Sequence, residues 1–390
     1  MRIGAIGAGI AGLAAGIGLR RAGADVTVFE RRPDTEPTGS GLSLFGNARR
    51  ALVALGVGEE LEAISTAAVT VLRGGQRRPD GGWLATTPPE AIRALRIVHR
   101  SDLHHLLRES LGSGSLRTDT SVRVLDDDGG VELSSGSEVE RDRFDVVVAA
   151  DGIFSRTRRG WPGDPGTRYS GYSTWRGITS TPVPLDAAGE TWGRGLRFGM
   201  APLTDGRVYW FAVATMPADE RLENEHLEVL RLFGGWHSPI PALIESTAPE
   251  AVFRLPISDL GGRLPSFRRG RTVLLGDAAH AMTPDLGQGA GQALEDAATL
   301  AALLRPVAAA PSSDPAAIHD ALDRYDELRR PRTQELARRA RLLGQVAQGQ
   351  TALPTWLRDA LIRATPPAAL AAQLRRIQSW EPPQTVAPVP

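Results

Sequence analysis

The chain has 390 residues, 42% of them hydrophobic and 23% charged, a composition that is typical of a globular protein with a large core. The formal net charge is zero, which argues against general binding of nucleic acid or acidic membranes, since both depend on a surplus of basic groups. The chain contains no cysteine, so disulfide bonds, thiolate nucleophiles and Cys-ligated metals are excluded, and redox chemistry requires a bound cofactor.

The apolar runs and the N-terminus indicate where the protein resides. No apolar run reaches the ~18–20 residues that a membrane-spanning helix needs. The N-terminus enters a strand pattern at once and lacks the order of segments that is expected of a signal peptide. The histidines show no metal-ligand spacing. The sequence therefore predicts a cytoplasmic protein without membrane insertion, a nucleic-acid partner or a metal site.

The first thirty residues predict the opening of a βαβ unit, with a strand over 2–6, a helix over 10–22 and a strand over 25–30. Further along, helices are predicted over 47–57 and 101–111, with Asn47 and Ser101 as their N-caps. The apolar run 144–150 predicts a parallel strand that is buried on both faces, and Asp151 and Gly152 follow it.

The turn between the first strand and the first helix carries a dinucleotide-binding fingerprint. Gly7 permits the tight turn, Gly9 lets the backbone approach a pyrophosphate, and Gly12 lets the helix pack closely on the strand. The pyrophosphate would then lie at the positive end of the helix. Glu30, at the end of the second strand, is an acceptor for an adenosine ribose. The fingerprint alone does not separate FAD from NAD.

The section between about 160 and 260 is rich in aromatic residues. Two strand-like runs, 195–202 and 207–215, flank Asp205 and Gly206, which is a hairpin signal. A helix is predicted over 222–233. This section predicts an antiparallel sheet that forms a second domain.

The last third of the chain returns to a buried strand over 271–276, followed by helices over 287–304 and 316–349. The segment 364–390 is rich in Pro, Ala and Gln and predicts a loosely held tail. Between the strand and the first of these helices lies Gly276-Asp277-Ala278-Ala279-His280, which continues through Pro284-Asp285 into a glycine-rich turn.

With this third motif the sequence resembles the single-component flavoprotein monooxygenases that share the p-hydroxybenzoate hydroxylase fold. Three patterns match in order and spacing: the N-terminal glycine fingerprint, the mid-chain Asp-Gly, and Gly-Asp-Ala-Ala-His with its Pro and glycine turn. The resemblance covers roughly residues 1–345 and implies that FAD is the dinucleotide.

The resemblance also implies roles for residues around the cofactor. Arg100 matches the position that contacts the FAD pyrophosphate, and Arg offers a planar fork of donors suited to phosphate. Asp277 matches the residue on the ribityl chain, and Asp151 lies in a motif implicated in FAD and nicotinamide binding. The turn 287–291 exposes N–H groups at a helix start, which would stabilise a reduced, anionic flavin. The predicted cofactor-binding residues are Gly7, Gly9, Gly12, Glu30, Arg31, Ser43, Arg100, Asp151, Gly276, Asp277, Gly287, Gly289 and Ala290.

Three stretches of the middle section, 169–177, 197–202 and 207–211, resemble the FAD-dependent urate hydroxylase branch. The residues that contact substrate in that branch match Arg197, Tyr209 and Asp285. An alternative is that Arg197 and Tyr209 only support the sheet. Arg176 departs from the branch, where a smaller polar residue is expected. His280 is interpreted as organising the cofactor loop, with direct proton transfer as the alternative.

The activity implied by the resemblance is hydroxylation of a small aromatic or N-heteroaromatic substrate. NADH or NADPH would reduce FAD, and molecular oxygen would give a flavin C4a-hydroperoxide that transfers one oxygen atom to the ring. The alternatives are an epoxidase or an antibiotic- or polyketide-tailoring oxygenase, and a non-catalytic flavin-binding sensor. The chain is expected to be a monomer or a homodimer.

The predicted fold class is α/β: a Rossmann-like, three-layer FAD/NAD(P)-binding domain with an inserted antiparallel β-sheet substrate domain and C-terminal helices. The domain boundaries follow from the change in composition along the chain. We predict an FAD-binding domain over 1–70, 98–160 and 262–310, a substrate domain over 71–97 and 161–261, C-terminal helices over 311–363 and a tail over 364–390.

Overall fold

The computed structural model describes residues 1–33, 40–310, 314–349 and 355–384. Over these residues the strands, in chain order, are β1 (Arg2–Ile6), β2 (Asp25–Phe29), β3 (Gly41–Leu44), β4 (Ser65–Thr66), β5 (Arg73–Arg77), β6 (Trp83–Thr86), β7 (Arg96–His99), β8 (Leu116–Arg117), β9 (Ser121–Val124), β10 (Gly130–Ser135), β11 (Glu138–Arg143), β12 (Val146–Ala149), β13 (Thr167–Ile178), β14 (Ala187–Trp192), β15 (Leu196–Pro202), β16 (Val208–Thr215), β17 (Phe253–Leu260), β18 (Arg268–Arg269) and β19 (Thr272–Leu274). The helices are α1 (Ile10–Arg21), α2 (Gly46–Ala54), α3 (Gly58–Ile64), α4 (Pro89–Ile92), α5 (Arg100–Leu111), α6 (Arg156–Arg159), α7 (Glu225–Phe233), α8 (Ile240–Glu245), α9 (Asp277–His280), α10 (Gly289–Ala308), α11 (Pro315–Ala347), α12 (Thr355–Ala364) and α13 (Pro367–Ile377).

A six-stranded sheet, in the order β18-β19-β12-β1-β2-β8, carries the glycine fingerprint at its centre. β1 pairs in parallel with β2 and with β12, which confirms the predicted βαβ opening and the buried strand that precedes Asp151. Alternate residues of β1 face opposite sides of the sheet. Ile3 and Ala5 pack in the core that includes α1 and α10, whereas Ile6 packs against the small antiparallel sheet β11-β10-β9. Helices, parallel sheet and antiparallel sheet form the three predicted layers.

A seven-stranded sheet, in the order β17-β13-β16-β15-β14-β5-β6, is built from residues 73–86 and 167–260. The predicted hairpin is present, because β15 and β16 pair antiparallel. The sheet is not wholly antiparallel, since β5 arrives from an earlier chain segment and pairs in parallel with β14. Trp175 and Trp210 point to the face that α7 and α8 cover, where they form a core with Phe233. Residues on the opposite face of this sheet, such as Arg176 and Phe211, line a cavity.

The two predicted N-caps are wrong. α2 begins before Asn47, whose buried side-chain amide donates hydrogen bonds to Gln288 at 2.9 Å and to Glu295 at 2.6 Å. α5 begins after His99, so Ser101 lies in its first turn. Cap propensity is a local signal, and at Asn47 the long-range contact with two side chains near and in α10 takes precedence.

The composition of 364–390 is misleading for the described part of that segment. α13 occupies much of it, because Ala, Leu, Gln and Arg are good helix formers. Arg50 then fastens the chain after α13: its Nε donates to the carbonyl oxygen of Trp380 at 2.9 Å, and its guanidinium also donates to the carbonyl of Gln378. The loosely held tail is therefore wrong for this part, and 385–390 lie outside the described residues.

The predicted division into an FAD-binding domain, a substrate domain, C-terminal helices and a tail stays a prediction. Among the described residues, none of the helices combines the length and hydropathy that a membrane-crossing segment requires. The same residues contain no group of three or more His, Cys, Asp or Glu side chains that could hold a metal ion.

Arg329 of α11 is almost completely buried between two carboxylates of α10. Its Nη1 lies 2.5 Å from Oε2 of Glu295, and its Nε lies 2.6 Å from Oδ1 of Asp296. Arg332 reaches Glu295 at 2.8 Å, and Nε2 of His280 lies 2.6 Å from Oδ2 of Asp296. Because a buried charge is costly unless it is paired and hydrogen-bonded, these groups stabilise the helix packing only as a set.

We predict that Arg329→Ala lowers the free energy of unfolding by about 3–5 kcal/mol, because it removes the cation that lies between two buried carboxylates and leaves the charge of Glu295 to Arg332 and that of Asp296 to His280. Urea titration followed by tryptophan fluorescence measures the loss. Arg324→Ala on the same helix is the matched control: its pair with Glu327 is exposed, so its cost should stay below about 1 kcal/mol. Equal losses for the two variants would contradict a structural role for the buried cluster.

Candidate active site

A cavity of about 380 Å³ lies where the carboxyl ends of the central parallel strands meet the open face of the seven-stranded sheet. Its cofactor half is lined by backbone at the starts of α1 and α10. Its other half is lined by side chains of β13, β14, β15 and β16. The three sequence motifs therefore meet the predicted substrate residues in one cavity.

The glycine turn has the geometry of a phosphate cradle. Gly7 has a φ of 101°, which favours glycine, and a Cβ on Gly12 would overlap the carbonyl oxygen of Gly7. Gly9 lines the cavity, and a Cβ there would meet no described atom within 4 Å. Gly9 is also the N-cap of α1 and supplies no side-chain cap, so the first N–H groups of the helix remain available to an anion.

Glu30 supports this turn from the end of β2. Its carboxylate accepts hydrogen bonds from the backbone N–H of Ala8 and of Arg32, each at 3.0 Å. The predicted fingerprint residues are thus gathered at one place. Arg31, by contrast, is exposed and does not line the cavity.

The loop after β19 forms the second side of the cofactor half. The N–H of Gly276 donates to Oδ2 of Asp296 at 2.9 Å, and this bond fixes the point where the loop turns towards the cavity. His280 uses the same carboxylate oxygen, so it connects to the loop through Asp296. The loop and the following turn contribute four predicted residues to the lining: Asp277, Gly287, Gly289 and Ala290.

Arg100 and Ser43 line the cavity from α5 and β3. Burial lowers the pKa of Arg100 and the guanidinium of Arg176 lowers it further, whereas Asp277 acts in the opposite direction. Arg100 and Arg176 thus repel each other within the cavity. That arrangement favours an anionic ligand between or beside them.

Asp151 is placed differently from the other predicted cofactor residues. Its neighbours Ala150 and Gly152 line the cavity, but Asp151 itself does not. Its Oδ2 accepts hydrogen bonds from the N–H groups of Arg156 at 2.8 Å and Thr157 at 3.3 Å. In this structure the carboxylate therefore satisfies the free N–H groups at the start of α6.

The substrate half of the cavity contains a buried ion pair between Arg197 and Asp285. Nη2 of Arg197 lies 2.7 Å from Oδ1 of Asp285, and the two side chains are 3% and 0% exposed. The hydroxyl of Tyr172 donates to Oδ2 of Asp285 at 2.6 Å, and Nε of Arg197 donates to the side-chain oxygen of Gln348 at 3.0 Å. Glu190 lies 3.6 Å from Arg197. We call this set of five residues the polar wall.

The charges of the polar wall depend on burial. Burial opposes the charged form of Arg197, but the carboxylates of Glu190 and Asp285 outweigh it and raise the pKa of Arg197 above its usual value. Burial raises the pKa of Glu190, against Arg197 and the indole N–H of Trp192. Burial and Asp285 raise the pKa of Tyr172. At neutral pH, Arg197 is therefore a permanent cation and Tyr172 a neutral donor.

Tyr209 lines the cavity but takes no part in the polar wall. Its hydroxyl forms no hydrogen bond with the described residues, and its ring packs so closely on Gly41 that a Cβ there would overlap it. Burial raises the pKa of Tyr209, against the charges of Arg176 and Arg100. Of the three predicted substrate residues, the structure thus joins Arg197 and Asp285 and sets Tyr209 apart.

Three members of the polar wall were not predicted. Tyr172 lies in the stretch 169–177, at an even spacing from Thr174 and Arg176, which line the cavity. Because alternate residues of a strand share a face, this spacing could have predicted Tyr172. Glu190 lies on β14, a strand that the sequence analysis did not predict. Gln348 follows α11 and lies 151 positions after Arg197, so no local pattern could connect them.

We predict that Gly9→Ala and Gly12→Ala separate cofactor binding from folding. Gly9→Ala should leave the thermal unfolding midpoint of the apoprotein near that of the parent, because its Cβ enters open cavity, yet weaken FAD binding by about tenfold or more. Gly12→Ala should destabilise the apoprotein by about 1–3 kcal/mol through overlap with Gly7. Thermal unfolding measures the stability of each apoprotein, and FAD titration measures the affinity of each variant for the cofactor. Unchanged FAD affinity of the first variant would remove the turn from the cofactor site.

Comparison with known proteins places the chain in a family. The family described as "FAD binding domain" matches residues 2–340. The chain is 37% identical to the aurachin C monooxygenase/isomerase of Stigmatella aurantiaca over 96% of this chain and 97% of that protein. It is 33% identical to the 2-heptyl-3-hydroxy-4(1H)-quinolone synthase of Pseudomonas aeruginosa, over 93% and 94%.

A solved structure shows the same fold. Klebsiella pneumoniae HpxO complexed with FAD and uric acid superposes with a TM-score of 0.85 at 27% identity, and the match covers 97% of each chain. The predicted α/β fold class and the resemblance to aromatic monooxygenases, including the urate hydroxylase branch, are confirmed. The chain belongs to the FAD-binding domain family and is an FAD-dependent monooxygenase of the aromatic hydroxylase type.

Proposed function

We propose that the protein hydroxylates a small aromatic or N-heteroaromatic substrate, using NADH or NADPH as reductant and molecular oxygen as the source of the new hydroxyl oxygen. One observation carries the proposal: the dinucleotide cradle around Gly9 and the buried pair of Arg197 and Asp285 face the same cavity. The quinolone and uric acid in the names of two similar proteins support an N-heteroaromatic ring.

The residues of the cofactor half would hold FAD as follows. The free N–H groups at the start of α1, together with Arg100, suit the pyrophosphate, and Asp277 suits the hydroxyls of the ribityl chain. When bound, FAD would accept a hydride from the nicotinamide and activate oxygen. One oxygen atom then enters the ring and the other leaves as water.

The substrate half would bind and orient the ring. Phe211 and Val213 offer apolar surface on the sheet face, which excludes water from the reacting atoms. Both oxygens of Asp285 already accept a hydrogen bond, and each carboxylate oxygen has a second lone pair that can accept another. We propose that Asp285 accepts the N–H or O–H of the substrate and that Tyr209 contacts the ring from the other end of the sheet face.

The activity is tested with the FAD-loaded protein and a panel of substituted benzoates, phenols, purines and 4(1H)-quinolones. Consumption of NADH and of NADPH is followed optically, and products are identified by mass. A product that is one oxygen atom heavier and aromatic supports hydroxylation, whereas an epoxide or a change in a larger tailored compound supports the tailoring alternative. Reduced-nicotinamide oxidation that no compound stimulates would favour the non-catalytic sensor.

We predict that Asp285→Asn lowers kcat/KM for the best substrate by about tenfold to a hundredfold, because one charged hydrogen-bond acceptor is lost from the cavity. FAD content should be unchanged. Asp205→Asn is the matched control, since Asp205 lies on the exposed hairpin turn outside the cavity and its carboxylate pairs with Arg207 two positions away. Coupled turnover at the parent rate in Asp285→Asn would remove this residue from the site.

A further inference from the structure

Arg176 is a cation of the cavity that has no acidic partner among the described residues. It lies on β13, where Trp175 points away from the cavity and donates its indole N–H to Glu225, the first residue of α7. Side chains alternate along a strand, so Arg176 points to the opposite face and lines the cavity together with Thr174. Its buried Nε has no hydrogen-bond partner in the described structure.

A buried guanidinium nitrogen without an acceptor is costly, because it has lost water and gained nothing in exchange. Most buried Arg side chains of this protein avoid that cost. Arg158, for example, bonds to Asp164 at 2.9 Å and to the carbonyl oxygens of Ile153 and Ala278. The Nε of Arg78 also has no partner, but Arg78 lies outside the cavity and forms an ion pair with Asp80 at 2.8 Å. Arg176 lines the cavity and has no ion pair with a described residue, which indicates that a ligand supplies the missing acceptor.

The other arginines of the cavity have their own anions. Arg197 pairs with Asp285 at 2.7 Å and also lies 3.6 Å from Glu190, so its charge is already balanced. Arg100 lies at the start of α5 beside the cofactor half, where the FAD pyrophosphate is expected. Arg176 is the lining arginine whose charge remains unassigned in the described cavity.

The position of Arg176 within the sheet indicates which ligand it meets. It pairs in register with Phe211 on β16, and Tyr209 lies two residues further along the same face of that strand. The guanidinium therefore rises from the aromatic surface on which the ring of a substrate would lie, and not from the glycine cradle.

We propose that Arg176 binds an oxygen substituent of the substrate that is anionic or strongly polarised: a ring carboxylate, or the oxygen of a hydroxy- or oxo-heterocycle. Arg197 then remains with Asp285 and does not take the substrate anion. This inference rests on the proposed function and names the substrate class within it. It also assigns a role to the residue at which the chain departs from the urate hydroxylase pattern.

The test is a binding experiment that needs no turnover, so it is independent of whether the activity assay succeeds. FAD-loaded protein is titrated with two matched ligand pairs, 3-amino-4-hydroxybenzoate against 2-aminophenol and 4(1H)-quinolone against quinoline, and the flavin absorbance change gives Kd. The variants are Arg176→Gln, Arg176→Lys and the control Arg168→Gln. Arg168 lies on the same strand, pairs with Asp259 and is half-exposed outside the cavity.

The parent protein should bind the member with the additional oxygen substituent, the carboxylate of the first pair or the oxo group of the second, more tightly in at least one pair. Arg176→Gln should raise the Kd of that ligand by about tenfold to a hundredfold. The Kd of the other member of the pair should stay within about twofold of the parent value. Arg176→Lys should restore part of the loss, because it keeps the charge but not the fork of donors. Arg168→Gln should match the parent.

Two results would overturn the inference. One is a parent protein that prefers neither the carboxylate of the first pair nor the oxo group of the second. The other is an Arg176→Gln variant with unchanged ligand preference but a shifted flavin midpoint potential or a weaker affinity for FAD. That second outcome would assign Arg176 to the cofactor.

Discussion

The carboxylate of Asp296 is the point on which the cofactor half of the cavity depends. It accepts hydrogen bonds from the N–H of Gly276, from His280 and from Arg329, so one buried group connects the loop after β19, the short helix α9 and the long helix α11. Burial alone would raise the pKa of Asp296, but His280 and Arg329 hold it below its usual value. A carboxyl group whose pKa is lowered by folding stabilises the native state above its unfolded pKa, and this contribution is lost as the pH falls through the folded value. The loop is therefore expected to loosen in acid.

The two halves of the cavity are organised by different physical means. The cofactor half is mainly backbone: glycines that allow close approach, and helix starts whose N–H groups have no side-chain cap. The substrate half consists of side chains on paired strands, where Arg197 is fixed by Asp285 and Gln348 before any ligand arrives. Such fixed side chains lose little freedom on binding, so the wall is preorganised for a ring of defined shape.

The sequence was most informative where a signal is local. Gly7, Gly9 and Gly12 predict both the turn and its use, because their spacing follows from the geometry of a single strand–helix junction. The hairpin of β15 and β16 and the buried strand β12 are likewise encoded within a few residues. The resemblance to a known family named Arg197 and Asp285, whose contacts with substrate remain a proposal.

The sequence was least informative where distant segments meet. Asn47 was assigned to a helix cap, but its amide is used by Glu295, far along the chain. The helix α13 was not predicted, because the Pro, Ala and Gln content of its segment is also typical of segments without regular structure. Arg329 is one of many arginines on a predicted helix. Its sequence neighbours do not indicate that two carboxylates of α10 surround its side chain.

The place of Gln348 in the chain has a consequence for how the protein is made. Its side chain completes the hydrogen bonding of Arg197, and Arg358 on α12 donates to the carbonyl oxygens of Gly193 and Ala347 on either side of this contact. A nascent chain on the ribosome can close the glycine turn after its first few dozen residues, but Gln348 emerges 151 positions after Arg197. During translation, the polar wall is therefore completed long after the glycine turn.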